Sequence, residues 1–301
     1  MRYSLRQLQV FRTVADLLSY TAAAERLNLT QPAVFAQVKQ LEDQIGTPLL
    51  ERVGRTLRIT EAGQIVLRGA RSIAAEGTRM EAELSAVNGL SAGRLDLAVV
   101  STAKYTLSWL IGPFSKAHPG IDIRLTVGNR RELLERFAAN MDDLYVLGAV
   151  PPDLAADHIR LAENPIICLA APDHPLAGRR GLSLTETAAF PLIMREAGSG
   201  TRRAAEAHFA AGGIEPNVRF ELGANEAVKH AVMAGLGIAV LSRGTVQLEL
   251  DYGHVVELAV EGFPLLRHWS LAWNPHRTLT TAASALRDHL SAAALNPVDS
   301  R

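Results

Sequence analysis

The chain of 301 residues carries a single cysteine, Cys168. One thiol excludes an internal disulfide and fits a reducing compartment. It stands in Ile166-Ile167-Cys168-Leu169-Ala170, an apolar run in which a thiol reads as core. Net charge is lacking as well, since 31 basic residues face 31 acidic ones. That balance argues against a chain that is basic throughout, although a small basic head can be cancelled by a larger remainder. The opening MRYSLRQLQVF has no apolar run suited to a signal peptide, and no stretch approaches a membrane span. The expectation is a cytoplasmic protein without membrane association.

Catalytic patterns are missing too. There is no HExxH, no paired-cysteine metal spacing and no G-x-S-x-G, and the nine histidines never stand four residues apart. Gly235-Leu236-Gly237 lacks a third glycine and precedes a strand pattern, so it reads as a tight turn, not a dinucleotide fingerprint. No enzyme, metal or cofactor is expected.

What is present begins with Ser19 to Arg58. A helical pattern over Thr21 to Leu27 is followed almost at once by another from Thr30 to Ile45, with Thr30 as expected N-cap and Pro32 in the first turn. Such a pair is how a helix-turn-helix presents its second helix to the major groove. Three apolar stripes need one another: Leu5, Leu8, Phe11 and Val14; Ala23, Ala24 and Leu27; Val34, Val38, Leu41 and Ile45. The opposite face of the third helix carries Gln31, Phe35, Lys39 and Gln40, a mixture that can meet base edges, a thymine methyl and phosphate. Beyond Gly46, a glycine turn at Gly54 joins two short extended arms bearing Arg52, Arg55 and Arg58, the pattern of a basic wing.

From Glu61 to about Asn88 the pattern is one long helix. Val66, Ala70, Ile73, Gly77, Met80, Leu84 and Val87 repeat at steps of 4 and 3, a heptad seam suited to a second copy of the chain. Leu90 to Gly93 reads as a linker. The remainder alternates strand and helix, the pattern of a parallel sheet with covered faces. Strands are expected near Arg94–Ser101, Ile121–Val127, Asp143–Gly148, Ile166–Ala170, Phe190–Met194, Val218–Leu222, Ile238–Leu241 and His268–Trp273. The expected division is 1–60 for the winged helix-turn-helix and 61–90 for the linker helix. A first lobe takes 91–162 and 267–292, a second lobe 163–266, and 293–301 form a tail.

Two lobes leave a cleft for a small ligand. Ser101, Thr102 and Lys104 leave the first strand and enter a helix, where hydroxyls and free N–H groups can bind an anion. Gly198, Ser199, Gly200, Thr201 and Arg202 repeat this in the second lobe, with glycines able to form an N–H nest. Asn129 and Arg130 close the second strand and form a third polar cluster. A solute-binding protein would account for the lobes but not the first 60 residues. An enzyme would need a nucleophile or metal site that is not in evidence.

Over nearly its whole length the chain resembles the LysR-type transcriptional regulators. LRQLQVF, TAAAERLNLTQPAV, QVKQLEDQIGTPLLER and ITEAG carry the resemblance. It implies an α/β protein with an N-terminal winged helix-turn-helix, a long dimerisation linker helix and a C-terminal two-lobed effector domain like the periplasmic solute-binding proteins. The implied partners are double-stranded operator DNA, a small anionic effector, RNA polymerase, and further copies of the chain in a homodimer or homotetramer. Gln31 and Pro32 match the start of the recognition helix; Phe35 stands where most members have serine. Arg52, Arg55 and Arg58 match the wing, and Ser101, Thr102 and Gly198 to Thr201 match effector segments. STAKY, HPGI, VGNRRELLERFAAN and EAGSGTR further resemble the subgroup that regulates Calvin-cycle carbon fixation or bicarbonate uptake, whose signals are phosphorylated sugars, phosphoglycolate or NADPH. Ala149 and Val150 stand where that subgroup carries an arginine.

Overall fold

A computed structural model describes residues 3–54, 56–87 and 93–295, without the side chains of 78, 79, 81–87 and 295. Two compact units result: Met1–Leu84 with Ala138–Met141, and Ser85–Phe137 with Asp142–Arg301.

In the first unit α1 (Leu5–Leu17) starts at a capping box, the Ser4 hydroxyl accepting from the Gln7 amide while the Gln7 side chain accepts from the Ser4 amide. α2 (Tyr20–Leu27) is capped by Ser19 and ends on Asn28 in the left-handed region. α3 (Gln31–Ile45) follows with Pro32 in its first turn. Thr30 holds the N-cap position, but its side chain makes no cap bond, so backbone geometry alone starts this helix. β1 (Leu50–Val53) and β2 (Thr56–Ile59) form an antiparallel ribbon around Gly54. α4 (Glu61–Val87) then leaves at Thr60, whose hydroxyl accepts from the Gly63 amide. Leu8, Val10, Phe11, Val14, Val34, Val38 and Leu41 are buried in one core. Leu5, the first residue of α1, is 63% exposed and is not part of it.

The long helix departs from the expected seam. Leu67 and Ala70 are buried in the head's own core, with Val66 and Ile73 packed against it. About the first three and a half turns are therefore spent within the chain, and Val66 and Ile73 are not free seam residues. Met80 is 59% exposed. The side chains of Leu84 and Val87 lie outside the described residues.

The second unit holds two five-stranded sheets. The first runs β4-β3-β5-β12-β6, from β3 (Gly93–Val100), β4 (Ile121–Gly128), β5 (Leu144–Leu147), β6 (Asp157–Glu163) and β12 (His268–Trp273). Its helices are α5 (Lys104–Ala117), α6 (Arg130–Ala138) and α11 (Thr281–Leu295). β3 is parallel to β4 and β5, while β12 is antiparallel to both its neighbours. The second sheet runs β11-β7-β10-β8-β9. Its strands are β7 (Ile166–Ala170), β8 (Leu192–Arg195), β9 (Val218–Leu222), β10 (Ile238–Ser242) and β11 (Val256–Glu257). α7 (Leu184–Ala188), α8 (Gly200–Ala211), α9 (Asn225–Met233) and α10 (Gln247–Asp251) complete this lobe. Two connections cross between the sheets, β6 to β7 and β11 to β12, and Ile166 bridges Leu265 where they meet.

Strand alternation sorts the second lobe's helices. Cys168, Met194 and Val240 face Ala205 and Phe209 of α8, whereas Leu169, Ile193 and Leu241 face Val228 and Val232 of α9. In the first lobe, β3 lies between β4 and β5. Right-handed crossovers through α5 and α6 therefore put those helices on opposite faces as well. All four helices begin at the carboxyl ends of strands, where the lobes face each other.

Candidate functional site: an arginine-lined cleft and a helix-turn-helix face

A cavity of about 580 Å³ opens between α6 and α8, on the side of the lobes away from α5 and α9. Ser101 and Thr102 from the end of β3, Asn129 and Arg130 from the start of α6, and Ser199, Gly200 and Thr201 from the start of α8 line it. Asn164, Ile166 and Arg267 from the crossing segments close its base, and the stretch from Gly148 to Asp153 forms a further wall.

Three of the expected residues are not in the lining. Lys104 pairs with Glu226 at 2.7 Å on the α5 side. Arg202 is held by Glu206 at 2.6 Å and Glu221 at 2.5 Å. Gly198 adopts φ +102, and its carbonyl accepts from the Arg131 amide of the other lobe at 3.3 Å. Gly198 is thus a lobe-to-lobe contact through its carbonyl. Helical geometry explains the arginines: consecutive side chains diverge by about 100°, so Arg202 and Arg203 cannot face one way. Arg203 shares the cavity face with Gly200, Ala204 and Ala207, at steps of 3 and 4. That spacing was readable in the sequence. Arg267, from a distant strand, was not.

The polar lining is partly spent in place. Asn129 caps α6, its carbonyl oxygen accepting from the Glu132 amide at 3.0 Å. Ser199 caps α8 through the Arg202 amide, and Thr102 accepts from the Trp269 indole at 3.4 Å. The cations are less committed. Arg130, Arg203 and Arg267 face one carboxylate, Asp153. Burial and then the nearby Arg203 push the Arg130 guanidinium below its usual range, with Asp153 opposing. Arg130 and Arg203, one from each lobe, line the same cavity and repel each other.

Between this cavity and the α5 side lies a buried seam. Arg195, 2% exposed at the end of β8, binds Glu196 and Asn225 and reaches Ser101 Oγ at 3.4 Å. Asn225 donates to the Ser101 carbonyl at 3.3 Å. Beyond the seam, Lys104 Nζ and Tyr105 Oη lie 2.7 and 2.6 Å from Glu226. The two donors, lysine first, hold the Glu226 carboxyl at about 2.

In the first unit Gln31, Pro32, Phe35 and Lys39 are exposed along one side of α3, turned roughly 100° from the buried stripe of Val34, Val38 and Leu41. Phe35 is 54% exposed, with its ring 5.4 Å from that of Tyr20. Lys39 meets Asp43 at 3.3 Å with both side chains in solvent, a pair that costs little to open. Glu42 accepts from the Leu49 and Leu50 amides at 2.8 and 3.1 Å, tying α3 to the ribbon. Arg52 and Arg58 of the wing do not form one patch. Register pairs Arg52 with Leu57 and Arg58 with Glu51, so Arg52 and Arg58 occupy opposite faces of the ribbon. Arg55 lies outside the described residues.

Profile comparisons match residues 5–64 to the bacterial regulatory helix-turn-helix proteins of the lysR family and residues 88–295 to the LysR substrate binding domain. The chain belongs to the LysR family of transcriptional regulators. It is 43% identical over 289 residues to the HTH-type transcriptional activator CmpR of a Synechocystis strain, covering 96% of this chain and 95% of that one. A RuBisCO operon transcriptional regulator of Allochromatium vinosum is 44% identical over 288 residues, with the same coverage. Among solved structures, the regulatory domain of Synechocystis CcmR in complex with 2-PG superposes with a TM-score of 0.65 at 37% identity. It covers 68% of this chain and 98% of that one. Among the described residues no helix is long and apolar enough to cross a membrane.

Proposed function

We propose that this regulator acts in the cytoplasm as a homodimer or homotetramer and controls genes of carbon fixation or inorganic-carbon uptake. Its effector is a small phosphorylated anion held between Arg130 and Arg203. The observation that carries the reading is the cavity's charge: three arginines against one aspartate, with two of the arginines on opposing lobes. The like charges repel until a multivalent anion enters, and charge-assisted bonds from guanidinium to phosphate are the strong kind. Relatives named for the RuBisCO operon and a relative bound to 2-PG support the class of genes and ligand. Operator DNA meets the exposed face of α3 and the ribbon, α4 pairs copies, and RNA polymerase is the downstream partner.

Calorimetric titration tests the effector. 2-Phosphoglycolate, ribulose bisphosphate and NADPH are compared with simple carboxylates. A phosphorylated ligand is expected to bind, and Arg203→Ala to weaken it by roughly 10-fold or more, the scale of one lost charged hydrogen bond. Binding of carboxylates alone, or an unchanged affinity in Arg203→Ala, would overturn the assignment.

A further inference from the structure

The contact of Lys104 and Tyr105 with Glu226 joins the lobes on the side away from the cavity. The cluster extends to Lys229 and Glu249. Lys229 lies with its Nζ 5.8 Å from the Tyr105 ring centroid and pairs with Glu249 at 2.7 Å. Lys104 Nζ sits 5.0 Å from the same ring. This group touches no effector-lining side chain except through the seam of Ser101, Arg195 and Asn225.

That seam lies between the two sides. α5 faces α9 on one side of it and α6 faces α8 on the other. Strands packed into two cores make each lobe stiff, so the lobes move as bodies about the crossing segments and the seam. A rotation that narrows the gap from α6 to α8 widens the gap from α5 to α9. Without an anion, two forces act in the same sense, against the Arg131–Gly198 bond: Arg130 and Arg203 push the cavity side apart, and the glutamate draws the other side together.

We propose that Lys104, Tyr105 and Glu226 form a latch that opposes effector-driven closure of the cavity and so sets the concentration at which the effector acts. The inference rests on the reading of the cavity as an anion site. Its logic is that of a population shift: whatever favours the open state lowers apparent affinity by the fraction of closed state it removes. Lys104 is then a positioning residue that never meets the ligand.

The test uses the full-length protein and 2-phosphoglycolate. Glu226→Gln removes the charge and keeps the shape, and should bind about five-fold more tightly, the scale of one partly exposed ion pair. Glu226→Lys, which faces Lys104 and Lys229, should bind more tightly still. Exchanging the pair, Lys104→Glu with Glu226→Lys, should return affinity toward that of the wild type. A merely structural role would lower affinity in every single variant, and that result, or unchanged affinity in all three, overturns the latch. If the wild type binds none of the phosphorylated anions, the cavity assignment fails and the latch is read without ligand. Amide exchange in the first turns of α6 and α8 should then slow in Glu226→Gln as the closed state fills. No change there defeats the latch on its own.

Discussion

At the start of α8 two adjacent arginines do different things: Arg202 is locked by Glu206 and Glu221, while Arg203 lines the cavity. The same divergence governs α3, where Phe35 stays exposed beside Tyr20 while Val34 next to it is fully buried. On the proposed DNA-facing surface, an apolar ring can touch thymine methyls but makes no hydrogen bond. Phe35→Ser is expected to change sequence preference, read by selection from a randomised operator library; an unaltered preference would remove Phe35 from base readout. Lys39→Ala should weaken binding to all sequences and reduce the salt slope by about 1, as loss of one phosphate contact does. Cys168, fully buried, has its thiol pushed up to about 12 by burial and is inert.

Elements turn on a few contacts that bind them together. Glu42 joins α3 to the ribbon through two amides, so Glu42→Ala leaves both without that acceptor. A loss of about 1–3 kcal/mol in urea unfolding of the head is expected, together with weaker operator binding as the wing loosens. Gly63 is where α4 crosses the Leu49 carbonyl so closely that a Cβ would lie 2.0 Å from its oxygen. The strands and helices were largely legible, because buried strands read as apolar runs and the helices show their stripes. β6 was not: Asp157–Glu163 alternates weakly, and only pairing with β12 makes it a strand. The seam of α4 was legible as a pattern but ambiguous as to partner. A heptad stripe does not say which surface covers it, and the head takes Val66, Ala70 and Ile73. Ile73→Asp would therefore damage the head as well as any assembly. Met80→Asp is the cleaner variant, and sedimentation should show loss or rearrangement of the dimer; an unchanged mass would place the interface elsewhere.

For the whole effector domain, acid is a direct probe. Glu226 has its carboxyl lowered from 4.5 to about 2 in the fold, first by Lys104 and then by Tyr105. Its contribution to stability is therefore complete above about pH 4.5 and is lost as pH falls through 2. Since the side chain is half exposed, solvent screening keeps that contribution small. Glu226→Gln should flatten this part of the acid limb, seen as a smaller drop in urea midpoint between pH 5 and pH 2.5; an identical drop would show that other carboxylates carry it. The cavity's chemistry was only half visible from sequence for a reason of scale. Ser101, Thr102 and the Ser199 loop are local motifs, but Arg267 joins them only through a chain crossing more than sixty residues away from either segment.

The guanidinium groups that Arg130 and Arg203 bring to one cavity have one more implication. Charge that repels itself accepts whatever small anion the medium offers, and living cells always contain inorganic phosphate. The regulator would then measure its signal against a background occupant, reporting a ratio of two metabolites, not the amount of one. Affinity for 2-phosphoglycolate should accordingly fall in phosphate buffer relative to a sulfonate buffer of equal ionic strength and pH. Equal affinities would mean that the site distinguishes the organic anion completely and that the cell's phosphate level is invisible to it.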